Sequence, residues 1–557
     1  MIIGRRSWIK TAGILAFDQM APAATRATGA TGGDSVIASR SVAVTDTAAG
    51  KVRGFVRDGV YTFKGIPYGA PTGGGRRFMP PAEPVSWKGV RSSLTYGYVS
   101  PQEPRGHWDK DEVAFVYQWN EGVQNEDCLR VNVWTQGLDD RKRPVMVWLH
   151  GGGFSTGSAH DMKTYDGENL ARRGDVVVVS LNHRLGAVGF LNLASIGGEK
   201  YATSANAGML DIVAALKWVR TNVRNFGGDP ANVTIFGQSG GGGKVTALMA
   251  MPQAAGLFHR AIVQSGSMLH MPDPDKTAKL AEAVVKELGI TKATLDQVHT
   301  IPVEHIVAAG IVAAKAVYPA PDSSRPFDFG RHAELMPWAP TVDGAILPES
   351  PFCNGAPTIS AKTPLLVGST RTEFGVGWGW PEFEYFTLGA LTNAIMKGYG
   401  KEMGARVLDA LRRGHPGAKA CDLLALWQSS GVRLATIQQA SAKAAQGTAP
   451  VYVYLFAWNT PVLDGRVRSY HCAELPFVFD NTDRCDAATG GGSAARALAA
   501  KVSEGWVRFA RTGNPNHGGL PAWPEFTTEK GATMVFDNTC TVVDDPDREE
   551  LRVLADS

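Results

Sequence analysis

Three residues of this chain have the makings of an activated nucleophile. Ser239 lies in Phe236-Gly237-Gln238-Ser239-Gly240-Gly241, a G-x-S-x-G pattern directly after the apolar run Val233-Thr-Ile-Phe236. Small neighbours let the backbone turn sharply from strand to helix and push the hydroxyl outwards. A serine hydroxyl attacks poorly until a base takes its proton. His471 is the candidate base. It follows Val451-Tyr-Val-Tyr-Leu-Phe456, read as the final strand, and the other eleven of the twelve histidines fail on chain order or context. Glu373 is the candidate acid, in the turn Gly368-Ser-Thr-Arg-Thr-Glu373-Phe-Gly375 just past a strand. There it would accept from one imidazole nitrogen, fix the tautomer and stabilise the imidazolium. Asp343, in Pro340-Thr-Val-Asp-Gly344, is the competing acid. Upstream stands His150-Gly151-Gly152-Gly153-Phe154. The amides of Gly152 and Gly153, with that of Gly240, would make a three-donor oxyanion hole.

These groups need a scaffold that brings distant loops to one edge. Short apolar β-rich runs recur at 144–149, 176–181, 233–236, 260–264, 364–367 and 451–456. Unbroken apolar strands suit a sheet covered on both faces. Between them, residues 210–223 read as a helix with Ile212, Ala215, Leu216 and Val219 on one face. Strand–helix alternation predicts a mainly parallel α/β sheet, where working groups gather past the carboxyl ends of the strands. The intervals 268–363 and 382–449 are richer in helical pattern and read as insertions capping that sheet. The order Ser239, Glu373, His471 is the one expected of an α/β-hydrolase fold.

Composition narrows the partners. The 557 residues carry 56 basic and 53 acidic side chains, a net charge of +3, with no basic stripe of the kind that binds nucleic acid. No H-E-x-x-H or C-x-x-C occurs, so no metal site is expected. Six cysteines are too few for disulfides to be the main staple; Cys472 and Cys485 either close a short loop or stay as thiols. The run 240–244 invites a phosphate-loop reading, but Val245 stands where Ser or Thr is required. Met1-Ile-Ile-Gly-Arg5-Arg6-Ser7-Trp8-Ile9-Lys10 resembles a twin-arginine export signal, with a small-residue cleavage site at Ala21-Pro-Ala23 and Asp18 interrupting the apolar part. Residues 1–30 are thus read as a leader, 31–41 as a linker and 42–555 as one hydrolase domain, periplasmic or secreted. No later run of about 18 apolar residues could span a bilayer.

From about residue 42 almost to its end the chain resembles the type-B carboxylesterases, the family that includes the cholinesterases. The stretch 226–241 matches that family's nucleophile signature, and Glu126-Asp-Cys-Leu-Arg-Val-Asn-Val-Trp134 matches a second one except at Arg130. Phe63-Lys-Gly-Ile-Pro-Tyr68, Arg77-Phe78, Asn182-His-Arg-Leu-Gly-Ala-Val-Gly-Phe190 and Phe509-Ala-Arg-Thr-Gly-Asn-Pro515 add to the match. The resemblance implies a structural ion pair between Arg77 and Glu126. It also exposes three departures. Gln238 stands where relatives carry Glu, which should slightly lower the pKa of the base. Gly240 replaces Ala, keeping the N–H while adding backbone freedom. Cys128 has no upstream cysteine with which to pair.

The expectation is a serine carboxylesterase that cleaves small-molecule esters through an acyl-enzyme intermediate, with no metal or organic cofactor. Two rivals are a catalytically dead binding module of the same fold and a triad hydrolase acting on amides, carbamates or lipids. Phe154, Trp378, Trp380 and Phe386 are candidates for an apolar substrate pocket, or for packing. Arg466 and Arg468 either favour substrates with a free carboxylate or are solvated surface arginines. The residues leave the oligomeric state open.

Overall fold

The computed structural model describes residues 35–556 except 105–109, 320–323, 325, 327 and 375. The expected leader, residues 31–34 of the expected linker and Gly375 lie outside the described residues. The chain builds a twelve-stranded sheet in the order Val36–Ile37, Phe55–Arg57, Val60–Pro67, Arg130–Thr135, Val177–Leu181, Arg143–Leu149, Gly228–Gln238, Arg260–Gln264, Leu365–Thr370, Val451–Phe456, Ala532–Phe536 and Thr541–Asp544. From Val177–Leu181 to Ala532–Phe536 every neighbouring pair is parallel. Antiparallel strands finish both edges.

Strand alternation assigns the core to two layers. Val145, Val147, Leu149 and Ile235 face one side, with Ile212, Leu216 and Val219 of helix Ala207–Asn222. Met146, Trp148, Phe236 and Ile262 face the other, with Leu498, Val502, Trp506 and Phe509 of helix Ser493–Thr512. Side chains that alternate faces and are buried on both explain the continuous apolar runs. Each fully buried large side chain contributes roughly 1.5–3 kcal/mol.

Two expectations need correction. Val451–Phe456 is not the final strand, because Ala532–Phe536 adds a further parallel one and Thr541–Asp544 an antiparallel edge. Nor is 382–449 wholly an insertion. Its second helix, Ala420–Ala445, packs against the sheet and connects the adjacent parallel strands Leu365–Thr370 and Val451–Phe456. Such a pair needs a crossover, and a helix is its usual form. The first helix, Leu388–Gly414, is broken at Gly400. Its far end meets the C-terminal helix Arg548–Ala555, where His415 Nε2 lies 2.6 Å from Glu550 and 3.9 Å from Asp547, and Arg433 also pairs with Asp547. Among the described residues no helix is long and apolar enough to cross a membrane.

Candidate active site

The sheet brings the serine and the glycine loop side by side. The chain leaves Arg143–Leu149 for Val177–Leu181 on one side and returns to Gly228–Gln238 on the other, so the carboxyl ends of the first and last of these flank a point where strand order reverses. Ligands gather at such points in α/β sheets. Leu149 is in register with Gly237, so His150 and Gln238 leave the sheet at the same level.

Ser239 sits between that strand and helix Gly240–Leu248 at φ 57, ψ −126. A non-glycine residue held there costs on the order of 1–3 kcal/mol, supplied by the surrounding fold. Its amide donates to the Gln264 carbonyl at 2.9 Å and its carbonyl accepts from Gly243 at 3.0 Å. Gly152 and Gly153 have φ of 81 and 64, a left-handed turn that few side chains tolerate. In this structure the missing side chain of Gly240 serves close approach and not backbone freedom. A Cβ there would lie 2.1 Å from the Gly153 carbonyl oxygen, so the absent side chain lets the glycine loop close on the serine turn.

Glu373 and His471 are brought together from separate loops. His471 Nδ1 faces Glu373 Oε2 at 2.5 Å, and the His471 amide donates to the Glu373 carbonyl at 2.7 Å. The other carboxylate oxygen of Glu373 accepts from the Thr370 amide at 2.9 Å. Burial alone would lower the pKa of His471, but the charge and hydrogen bond of Glu373 and the charge of Glu474 outweigh it and raise the imidazole above its ordinary value. Asp343, the competing acid, is committed elsewhere. It caps its own turn, accepting from the amides of Ala345, Ile346 and Leu347, and binds Asn206.

Ser239, Glu373, His471 and Gly152 line one cavity of about 990 Å³. Of the proposed pocket aromatics, Trp378 lines it. Phe154 is fully buried against Phe190, while Trp380 and Phe386 pack with Phe383 in a separate cluster. Arg466 pairs with Glu112, and Arg468 with Asp422 and Glu384, so neither waits for a substrate carboxylate. Cys472 and Cys485 are unbridged; the Cys472 thiol donates to Gln238 Oε1 at 3.1 Å. Cys128 is likewise a thiol, pushed up to about 12 by burial. Arg77 and Glu126 form the expected ion pair, doubly bonded at 2.6 and 2.7 Å.

Other residues at the site escaped sequence reasoning. Tyr117 Oη donates to the His471 carbonyl at 2.6 Å and its ring stacks on Trp119 at the cavity wall. The Phe374 ring lies 5.6 Å from that of His471. Gln238, which the sequence did single out beside the nucleophile, holds Nε2 3.3 Å from His471 Nδ1 and 3.1 Å from Nε2, and with Nδ1 turned to Glu373 only Nε2 can accept from it. Glu474, wholly buried behind the histidine, accepts from Gln264 Nε2 at 3.1 Å. Burial first, then the charge of Glu373, pushes its carboxyl up to about 7. Its place three residues after His471 was the available signal; nothing in sequence pointed to Tyr117.

A doubly covered parallel sheet with a strained serine turn, a glycine loop and a carboxylate-bound histidine past its strand ends is the α/β-hydrolase fold. The chain belongs to the carboxylesterase family, whose model matches residues 41–553, and is a carboxylic ester hydrolase. It is similar to the para-nitrobenzyl esterase of Bacillus subtilis, 36% identical over 515 residues that cover 92% of this chain and 98% of that one. It is 31% identical to the phenmedipham hydrolase of Pseudarthrobacter oxydans, over 92% of this chain and 99% of the relative. Among solved structures, a carboxylesterase of Geobacillus stearothermophilus superposes with a TM-score of 0.74 at 34% identity, over 92% of this chain and 99% of the other. An esterase of Clostridium hathewayi gives 0.78 at 35%, over 94% and 100%.

Proposed function

We propose that the chain is a serine carboxylesterase in which Ser239 is the nucleophile, His471 the general base and Glu373 its orienting acid. With Nδ1 turned to Glu373, Nε2 is the nitrogen that takes the serine proton, exchanging the Gln238 amide 3.1 Å away for the serine hydroxyl. Ser239 Oγ adds to the ester carbonyl carbon, and the oxygen takes negative charge at the amides of Gly152, Gly153 and Gly240. None of these three amides donates to another group among the described residues. The imidazolium then protonates the departing alcohol, leaving an acyl-enzyme. Water, deprotonated by the same histidine, releases the acid and restores the serine.

The observation that carries the reading is the Glu373–His471 contact at the wall of the cavity that Ser239 also lines. A dead binding module of this fold would be expected to lack a triad member, whereas Ser239, Glu373 and His471 all line this cavity. The flat Tyr117–Trp119 pair and Trp378 favour esters with an aromatic acyl or alcohol group, in keeping with the para-nitrobenzyl name of one relative. We infer also that Arg5-Arg6 addresses the protein for export and that 42–555 fold as one domain.

Fluorophosphonate labelling of the pure protein followed by peptide mapping tests the reading: the label should be on Ser239, and an unlabelled folded protein sinks it. Ser239→Ala and His471→Ala should each lower kcat by on the order of 10⁴-fold or more. Matched ester, amide and carbamate substrates should rank ester first. Fractionation of cells expressing wild type and an Arg5→Lys, Arg6→Lys variant checks the address.

A further inference from the structure

The phosphate-loop reading of 240–244 fails at Val245, which leaves Lys244 without a role. It lies on helix Gly240–Leu248, which begins directly after Ser239, and its side chain is wholly buried. Lysine is almost never fully buried unless its charge is used, because taking an ammonium out of water costs more than an ordinary contact returns. Here Nζ donates to the His150 carbonyl at 2.9 Å and lies 5.6 Å from the centre of the Phe154 ring. Those two residues are the ends of the loop His150-Gly-Gly-Gly-Phe154. One ammonium therefore braces both ends of the loop whose middle carries the amides of Gly152 and Gly153. Its field is felt nearby: His183, stacked on His150 at 5.1 Å, is held well below its ordinary pKa by burial first and by the Lys244 charge second.

We propose that Lys244 is a positioning residue for acyl transfer, its buried ammonium fixing the glycine loop and favouring negative charge on the substrate oxygen held there. The proposal rests on the esterase reading above. An ester carbonyl is nearly neutral when it binds and anionic in the tetrahedral transition state. A fixed, water-excluded cation therefore acts on kcat far more than on KM.

Lys244→Met and Lys244→Gln remove the charge, and Gln keeps a donor for the His150 carbonyl; Lys244→Arg keeps the charge. In the full chain, kcat and KM are read with a p-nitrophenyl ester, together with the affinity of an aryl trifluoromethyl ketone, which forms an oxyanion on the serine. Both neutral variants should lose roughly tenfold or more in kcat and in ketone affinity, with KM within about threefold, and the arginine variant should keep most of both. Wild-type kcat in either folded neutral variant overturns the proposal. So does a fall in kcat without a parallel fall in ketone affinity. Failure of both neutral variants to fold while Lys244→Arg folds and is inactive also overturns it, since the lysine would then serve folding alone. Fluorophosphonate labelling of wild type keeps the two readings apart: an inert wild type defeats the esterase assignment, whereas an active wild type with unaffected variants defeats only the lysine.

Discussion

Replacing Glu474 by glutamine should cost stability at acid pH and regain most or all of that loss at alkaline pH. The carboxyl is fully buried, one oxygen accepts from Gln264, and the other has no partner among the described residues. Burial and the neighbouring Glu373 carboxylate move its pKa from the ordinary 4.5 to about 7. A folded-state pKa above the unfolded one means that the folded state binds more protons between these two values. Stability therefore falls as pH rises from 4.5 to 7, and the full cost is present above 7. At roughly 1.36 kcal/mol per pH unit that cost is about 3 kcal/mol. Glutamine is neutral throughout, but it places an NH₂ where an oxygen lacked a partner, a loss of about 1–3 kcal/mol that does not vary with pH. The pH-dependent part is the clean signal. Urea unfolding of wild type and Glu474→Gln at pH 5 and pH 8 should show the variant gaining about 2–3 kcal/mol relative to wild type between the two. The same substitution removes a charge that favours the His471 imidazolium, so the acid limb of kcat/KM should move to lower pH. A stability gap that is constant from pH 5 to 8, or an acid limb that moves upwards, refutes the reasoning.

Three further perturbations have defined outcomes. Gly240→Ala forces a Cβ to within 2.1 Å of the Gly153 carbonyl unless the loop retreats; since one oxyanion donor contributes about 2.7–4 kcal/mol, steady-state assays should show kcat down by roughly 10²-fold, and an unchanged kcat would discount the close approach. Gln238→Glu places a carboxylate about 3 Å from the imidazole nitrogens, and the acid limb of the pH–rate profile should rise by about one unit; no movement would show that this side chain is screened from His471. His415 is raised above its ordinary pKa by its hydrogen bond to Glu550 foremost, then by the charges of Glu550 and Asp547, against the opposing effects of burial and Arg371. Its stabilisation is complete below roughly pH 6.5 and is lost as pH rises through the folded value. His415→Gln should therefore lose more stability relative to wild type at pH 6 than at pH 9.5, as thermal unfolding at the two pH values will tell; a gap that does not change with pH would refute it.

Much of the scaffold was legible because a parallel sheet buried on both faces writes itself as unbroken apolar runs, and residues 144–149 and 451–456 are such runs. The serine turn and the glycine loop were legible for another reason: tight turns and close backbone approach tolerate few residues besides glycine. What escaped was of two kinds. Ala532–Phe536 is only five residues long and lies far past the run 451–456 read as the final strand, and the helix Ala420–Ala445 looks like any other amphipathic segment until its strand partners are known. The second kind is convergence from far along the chain. Tyr117 reaches the carbonyl of His471 across more than 300 residues, and no local pattern encodes that contact. A tyrosine or a lysine at such a place looks like an ordinary surface residue, and only its contacts in the fold mark it as part of the site.

The charges around the reacting atoms are arranged along one direction. In the transition state for acylation the imidazole becomes positive and the substrate oxygen negative. Behind the imidazole lie the carboxyl groups of Glu373 and Glu474; at the glycine loop, on our proposal, lies the ammonium of Lys244. Each sits where it favours the charge that develops nearest to it. Between the two stands Gln238, beside both ring nitrogens and bonded to Cys472. A carboxylate there would help the imidazolium but would also stand near the forming oxyanion, which the loop amides and Lys244 favour. A neutral amide keeps the separation of charge intact. On this reasoning Gln238→Glu should lower kcat on the pH plateau as well as shift the acid limb, and should do so less severely than Lys244→Gln. If the glutamate variant instead raises plateau kcat, the two ends of the site do not share one field.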